Sequence, residues 1–452
     1  MKKNFSLSGM PDFNSLEMHR REYVLSIIKK HFKLCGFSPI ATSLIEKRDN
    51  LFGSYGDDGD QLIFQILRSG DYLNKINIDH QNIASNKLSP LISDKALRYD
   101  LTVPFARFLT ENRSTLNLPF RRYEIGTVFR ADRPQKGRLR QFTQCDADII
   151  GSKSLWLEID LLNLINSVFD DFDLQDIIIK ISNRKILEGI FQSFSSNLNF
   201  SKFCIIIDKI DKIGLTKVGK LLLDHKFPKE GVQFVKDLFL LENSFIAQKK
   251  FISSQIKIND NLKLGFEELS FIMDNLITST GTCENIQIDF SLARGIDYYT
   301  GTIFEVVSSK SNIGSLVGGG RYDQLTEKFD IKDISGVGIS FGLDRLCLVL
   351  DDAHLFPVSM EENIDYLFVN FGIKEAKVAQ AYVSALRKLN TTCELYPDSV
   401  KINKQMNYAH KRGIKFVVII GEKEIEANKL VVKNMLTGEQ NLITFNELVQ
   451  SL

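Results

Sequence analysis

The sequence predicts an α+β protein in three zones: a main domain of strands and helices, a helical insertion within it, and a separate C-terminal α/β module. Three observations predict this. Strand-like, glycine-punctuated segments run to about residue 174 and return at IQIDFSLARGIDYYTGTIFEVV. The stretch between is rich in Lys, Asn, Phe and Ile and poor in glycine, as in KVGKLLLDHKF and GVQFVKDLFLLENSF. From about residue 364, DYLFVNFG, KEAKVAQAYVSALRKLN, TTCELYP, KINKQMNYAHKRG and KFVVIIG alternate strand, helix, strand, helix, strand. The expected boundaries are 1–174 and 281–358 for the main domain, 175–280 for the insertion and 364–452 for the module.

The elements follow from periodicity and punctuation. From Asn14 to Leu34, Leu16, Tyr23, Val24, Ile27, Ile28 and Phe32 recur at helical spacing, which predicts an amphipathic helix. GFSPIATSLIEK reads as a short strand entering a helix, with Pro39 at a tolerant strand edge. LIFQIL reads as a strand between loops, and ALRYDLTVPFARFLTEN passes from strand to helix with Pro104 near the helix start. Residues 120–131 and 140–150 read as two strands joined by DRPQKGRL. Alternation in the second strand puts Phe142, Gln144, Asp146 and Asp148 on one face and Thr143, Cys145, Ala147 and Ile149 on the other.

Composition excludes several classes. With 452 residues, 44% apolar and 25% charged, the chain has material for two to four packed domains and is neither disordered nor collagen-like. Net charge of +1 leaves local charge to decide any polyanionic partner. Cys35, Cys145, Cys204, Cys283, Cys347 and Cys393 form no zinc spacing and read as reduced cytoplasmic thiols, with Cys145 packed rather than nucleophilic. The N-terminus lacks an apolar secretory core, and no run nears the roughly 18 apolar residues of a membrane helix, so a soluble, unprocessed protein is expected. The six histidines are scattered and form no cluster.

Three stretches carry candidate chemistry. Around the 120–150 hairpin, Arg121, Arg122, Arg130, Arg133, Lys136, Arg138 and Arg140 meet only Glu124 and Asp132 as local acids. A solvated tip would satisfy them, but arginine is the residue suited to bidentate phosphate contacts. SLARGIDYYTGTIFEVV sets Arg294 beside Gly295 and follows with Tyr298 and Tyr299, which suits a polar ligand in an apolar pocket. GGGRYDQL lacks both nucleotide-loop patterns and reads as a tight turn. In GVGISFGLDRL, glycines 336, 338 and 342 clear one side of a strand on which a flat ligand could lie, and Asp344 and Arg345 open a helix. Asp146 reads as structural.

These stretches together carry a family resemblance. FRRYEIGTVFRADRPQKGRLRQFTQCDADIIG resembles motif 2 of the class II aminoacyl-tRNA synthetases, GVGISFGLDRL resembles motif 3, and GFSPIATSLIE resembles a remnant of motif 1. LARGIDYYTGTIFE with GGGRYD is similar to the signature pair of the histidyl-tRNA synthetases. The resemblance runs nearly end to end. It implies an antiparallel catalytic sheet flanked by helices, a helical insertion that helps hold the acceptor arm of tRNA(His), a C-terminal anticodon-binding domain and a homodimer. It also implies L-histidine and ATP as substrates, with Mg2+ accompanying ATP.

By the same resemblance, Arg130 and Arg294 are the catalytic residues: Arg130 clamps the α-phosphate and substrate carboxylate, and Arg294 approaches the α-phosphate where related enzymes use a metal ion. Arg130, Arg138 and Arg345 bind ATP, Arg345 at the γ-phosphate. Asp100, Thr102, Arg130, Gln144, Asp148, Arg294, Tyr298 and Tyr299 hold histidine. The family's bacterial branch often has glutamate where this chain has Asp100 and Asp148, so the pocket must close slightly or use water. The rival is the catalytically silent, histidine-sensing regulatory paralogue of ATP phosphoribosyltransferase, which resembles only the catalytic domain and generally loses the signature arginines.

Overall fold

The computed structural model describes residues 6–73, 84–194, 198–241, 244–276, 285–293, 299–357 and 364–452. The chain forms two compact units, Met1–Phe356 and Pro357–Leu452.

The first unit opens with α1 (Ser15–Leu34), whose start is fixed by a capping box between Asn14 and Glu17. Val24, Ile28 and Phe32, four residues apart, are fully buried, and the Phe32 ring packs 5.3 Å from Tyr123 and 6.0 Å from Phe341. Behind this helix lies an eight-stranded sheet. Its strands are β1 (Ser38–Pro39), β2 (Phe120–Phe129), β3 (Gln141–Ile150), β4 (Ile177–Asn183), β5 (Ile286–Ile288), β6 (Thr302–Ser308), β7 (Val317–Tyr322) and β8 (Gly336–Gly342), in the order β1-β2-β3-β8-β7-β6-β4-β5. The six central strands are antiparallel and the two short outer strands pair in parallel.

Period-two alternation gives this sheet two unlike faces. Cys145, Ala147 and Ile149 of β3 and Val337, Ile339 and Phe341 of β8 enter the main core with α1 and α3 (Trp156–Asp171). Arg21 ties α1 to the sheet, its guanidinium donating to Asp344 at 2.7 Å and Thr143 at 3.0 Å. On the opposite side, α2 (Thr102–Asn112) packs Phe105, Ala106 and Leu109 against Ile150 and Tyr322 in a smaller core. A three-stranded sheet, with Lys95–Leu97 between Ile45–Lys47 and Gln65–Ile66, lies just before α2 in the chain.

The zone expected to be helical from residue 175 begins with a sheet strand, β4, because the isoleucines of Ile177–Asn183 alternate into the core; helices start at Arg184. From there to Asn275 every regular element among the described residues is a helix, and Phe203, Leu222, Val235 and Leu269 belong to the same apolar cluster as the sheet.

The second unit is a five-stranded sheet of β9 (Tyr366–Phe368), β10 (Cys393–Leu395), β11 (Phe416–Ile419), β12 (Leu430–Asn434) and β13 (Gln440–Ile443), ordered β10-β9-β11-β12-β13. The first three strands are parallel and joined by helices Ile373–Lys388 and Ile402–Lys411, as a parallel pairing requires. The last two add an antiparallel hairpin.

Candidate active site

A cavity of about 310 Å³ opens on the face of the large sheet away from α1. The polar face foreseen for β3 lines it: Phe142, Gln144, Asp146 and Asp148 all border the cavity, while Cys145 is buried in the core behind. Asp100, Thr102, Arg130, Arg138, Tyr299 and Arg345 join them from other parts of the chain. Arg294 and Tyr298 lie outside the described residues.

Backbone carbonyls orient Arg130 and Arg345, and aromatic faces also hold Arg130. Arg130 donates Nε–H to the Tyr99 carbonyl at 3.1 Å, and its guanidinium lies 4.3 Å from the Tyr99 ring centroid and 5.2 Å from that of Phe142. Such stacking fixes the plane of the group without neutralising its charge. Arg345, in α4 (Leu343–Asp352), donates Nε–H to the Gly137 carbonyl at 2.8 Å and Nη1–H to that of Ser315 at 2.7 Å. Arg138 pairs with Asp132 at 3.0 Å on the hairpin tip.

Three other hairpin cations find partners within the protein, most of them far away in sequence. Arg121 pairs with Asp160, Lys136 meets Asp352 at 2.9 Å, and Arg140 donates to the backbone carbonyls of Asp132 and Ser8. Most of the charge that suggested a phosphate-binding hairpin is therefore balanced internally, and Arg130 is the member stacked at the cavity wall.

Arg122 is the sharpest case. It is 0% exposed, stands directly across from Asp148 in the β2–β3 register and approaches its Oδ2 at 2.7 Å. On the other flank, Tyr322 donates its hydroxyl to Asp148 Oδ1 at 2.6 Å. Burial raises the Asp148 carboxyl above its ordinary value, and the Arg122 charge and Tyr322 hydroxyl pull it back. Asp148 thus borders the cavity as the centre of an Arg–Asp–Tyr set. Sequence reasoning missed both partners of this set, although Tyr322 stands within the GGGRYD stretch.

The strand glycines explain how this set fits. A Cβ on Gly338 would lie 1.9 Å from Asp148 Oδ1, and one on Gly336 would lie 2.4 Å from the Tyr322 ring. These two glycines make room for buried protein side chains, a correction to the expectation of a cleared ligand platform. Gly318 and Gly342 border the cavity, and a Cβ on either would meet nothing closer than 3.7 Å.

At the Asp100 end of the cavity, Asp100 is 2% exposed; its Oδ1 accepts from the Tyr55 hydroxyl at 2.9 Å and the Val103 amide at 3.1 Å. Gln144 donates Nε2–H to Ser340 Oγ at 2.8 Å. Asp146, expected to be structural, sits beside them on the cavity wall. Cationic groups and buried acceptors in one cavity can hold a molecule that is anionic at one end and carries N–H donors at the other.

Residues 92–346 match the family described as Histidyl-tRNA synthetase, and residues 355–452 match the Anticodon binding domain. The chain belongs to the histidyl-tRNA synthetase family. Full-length relatives agree: histidine–tRNA ligases of Christiangramia forsetii and Flavobacterium johnsoniae are 45% and 43% identical, with 98% of each chain covered. The crystal structure of the family member from Nostoc sp. PCC 7120 superposes with a TM-score of 0.78 at 29% identity over 100% of both chains. A Bacillus halodurans structure titled as an ATP phosphoribosyltransferase regulatory subunit/histidyl-tRNA synthetase has a TM-score of 0.71 at 16% identity, covering 90% of this chain and 96% of that one, a likeness of fold alone.

Proposed function

We propose that this chain condenses L-histidine with ATP to histidyl-adenylate and then transfers the histidyl group to tRNA(His). The observation that carries the reading is the joint presence of Arg130, Arg138 and Arg345 in one cavity with Asp100, Thr102, Gln144, Asp148 and Tyr299. A histidine carboxylate oxygen attacks the α-phosphorus, a new P–O bond forms, the bond to the bridging oxygen breaks and pyrophosphate leaves. Anions must crowd together at that moment. Guanidinium groups already oriented by stacking and by carbonyl oxygens stabilise the shared charge with little reorganisation. Arg130 is placed to serve the α-phosphate and substrate carboxylate, and Arg345 and Arg138 the rest of the triphosphate. Arg294 and Tyr298 enter by sequence resemblance, Arg294 as the second catalytic cation.

The Mg2+ expected with ATP would arrive on the nucleotide's phosphates. Among the described residues no group of three or more His, Cys, Asp or Glu side chains is set to hold a metal ion, and no step here is routed through one. A homodimer is in keeping with exposed Leu44 and Ile45, which lie within the segment resembling motif 1. Cytoplasmic residence is in keeping with the five described cysteines, all free thiols, and with the lack, among the described residues, of a helix long and apolar enough to cross a membrane.

The test is pyrophosphate exchange into ATP. Exchange that depends on added L-histidine is expected; histidine binding without exchange would favour the regulatory paralogue instead. Retention of Arg130, Arg138 and Arg345 at the cavity supports the enzyme.

A further inference from the structure

Resting on the reading above, four buried acceptor atoms at the cavity lack a hydrogen-bond partner among the described residues, Asp100 Oδ2, Gln144 Oε1, Asp146 Oδ1 and Asp148 Oδ2; the last is ion-paired with Arg122 at 2.7 Å, which leaves three. A neutral imidazole offers one N–H and one lone pair, whereas an ammonium group offers three donors and no acceptor. Three acceptors therefore match the ammonium end of an amino acid. We infer that Asp146 is the third acceptor, beside Asp100 and Gln144, for the α-ammonium group of the bound histidine.

The surroundings of Asp146 set its behaviour. Its strand position is opposite Glu124 in β2 and Ser340 in β8. The charged and titratable groups around it are Arg122 and Glu124 from β2, Asp148 from its own strand, Asp100 ahead of α2 and Tyr322 from β7, with Arg130 across the cavity. Arg122 lies nearest Asp148, at 2.7 Å, and Glu124 is held by Arg98 at 2.9 Å; the Arg122 charge still reaches Asp146 and Ser340 hydrogen-bonds its side chain, yet Asp146 Oδ1 keeps no hydrogen-bond partner among the described residues. Burial first, then the charge of Asp148, pushes the Asp146 carboxyl up to about 8, against the pull of Arg122.

The sign of the coupling follows. Below about pH 8 the free protein holds Asp146 protonated. An arriving ammonium favours the carboxylate, so binding lowers the affinity of Asp146 for its proton and expels that proton to the buffer. Histidine affinity then rises as pH climbs from about 6.5, where the substrate imidazole is roughly half protonated, toward about 8.

Calorimetric titration of the full chain with L-histidine, in two buffers of unlike ionisation enthalpy at pH 7, reads the proton directly. Net release is expected; no release in the intact protein overturns the inference. Asp146→Asn keeps shape and removes both the charge and the titration. It should weaken histidine binding about tenfold or more at pH 8, with less loss at pH 6.5, and Asp146→Glu should restore part of it. The substrate's own titration is common to all these proteins, so an Asp146→Asn affinity with the parent's pH dependence overturns the assignment. Parallel pyrophosphate exchange by the unmodified chain separates the two readings: exchange present with an unaltered variant sinks Asp146 alone, while absent exchange sinks both.

Discussion

Arg122 shows what one buried charge demands. Its guanidinium is fully enclosed, lies 4.2 Å from the Phe105 ring centroid and meets Asp148 at 2.7 Å. Removing the cation alone strands Asp148 in a site that Tyr322 cannot neutralise. Arg122→Met should therefore cost about 3–5 kcal/mol of stability, and adding Asp148→Asn should recover a sizeable part, since no unpaired charge then remains. Urea unfolding of the two single variants and the double variant measures the coupling; simple additivity would mean that the pair is not the source of the loss. In the sequence Arg122 is one of seven cations gathered around a hairpin. Composition reveals the charge, but only strand register reveals that its partner is Asp148 rather than a phosphate. Gln144 and Asp148 were legible because alternation in β3 is a local property. Tyr322 was not, because it reaches Asp148 from 174 residues away.

Strand β8 makes the same point for an element. Its G-x-G-x-x-x-G spacing correctly signals missing side chains on one face, yet the space at Gly336 and Gly338 is already taken by Tyr322 and Asp148. What occupies such a gap depends on neighbouring strands, which the spacing cannot report. Gly338→Ala tests it. With a Cβ only 1.9 Å from Asp148 Oδ1, and the carboxylate held from two sides, the strand must shift or the Asp148 contacts must break. A stability loss of about 1–3 kcal/mol is expected, together with a rise in KM for histidine that exceeds the rise in KM for ATP. Gly318→Ala, with nothing within 4 Å of its Cβ, is the matched control and should leave stability within about 0.5 kcal/mol. Equal stability losses in both variants would show that strand backbone entropy, rather than the Asp148 seat, makes glycine necessary.

At the scale of the molecule, texture foretold the α/β module after residue 364, where strand and helix periods alternate cleanly. It misplaced the start of the helical insertion, because β4 is an isoleucine-rich run whose sheet partner β6 comes more than a hundred residues later. It also gave no hint that the insertion shares its apolar cluster with the sheet. The C-terminal unit differs: its sheet and helices bury Phe368, Val383, Leu386 and Val418 in a core of their own. Every described residue bordering the cavity falls between Asp100 and Arg345, inside the first unit. A chain ending at Phe356 should therefore keep histidine-dependent pyrophosphate exchange within a few-fold of the full chain. If the unit matching the anticodon-binding family is one of two linked tRNA-binding modules, its removal should lower charging of tRNA(His) at sub-saturating concentration about a hundredfold or more. The two assays on one truncated protein divide the possibilities: exchange lost along with charging would mean that the first unit needs the second to form its site, and charging retained would remove tRNA binding from the second unit.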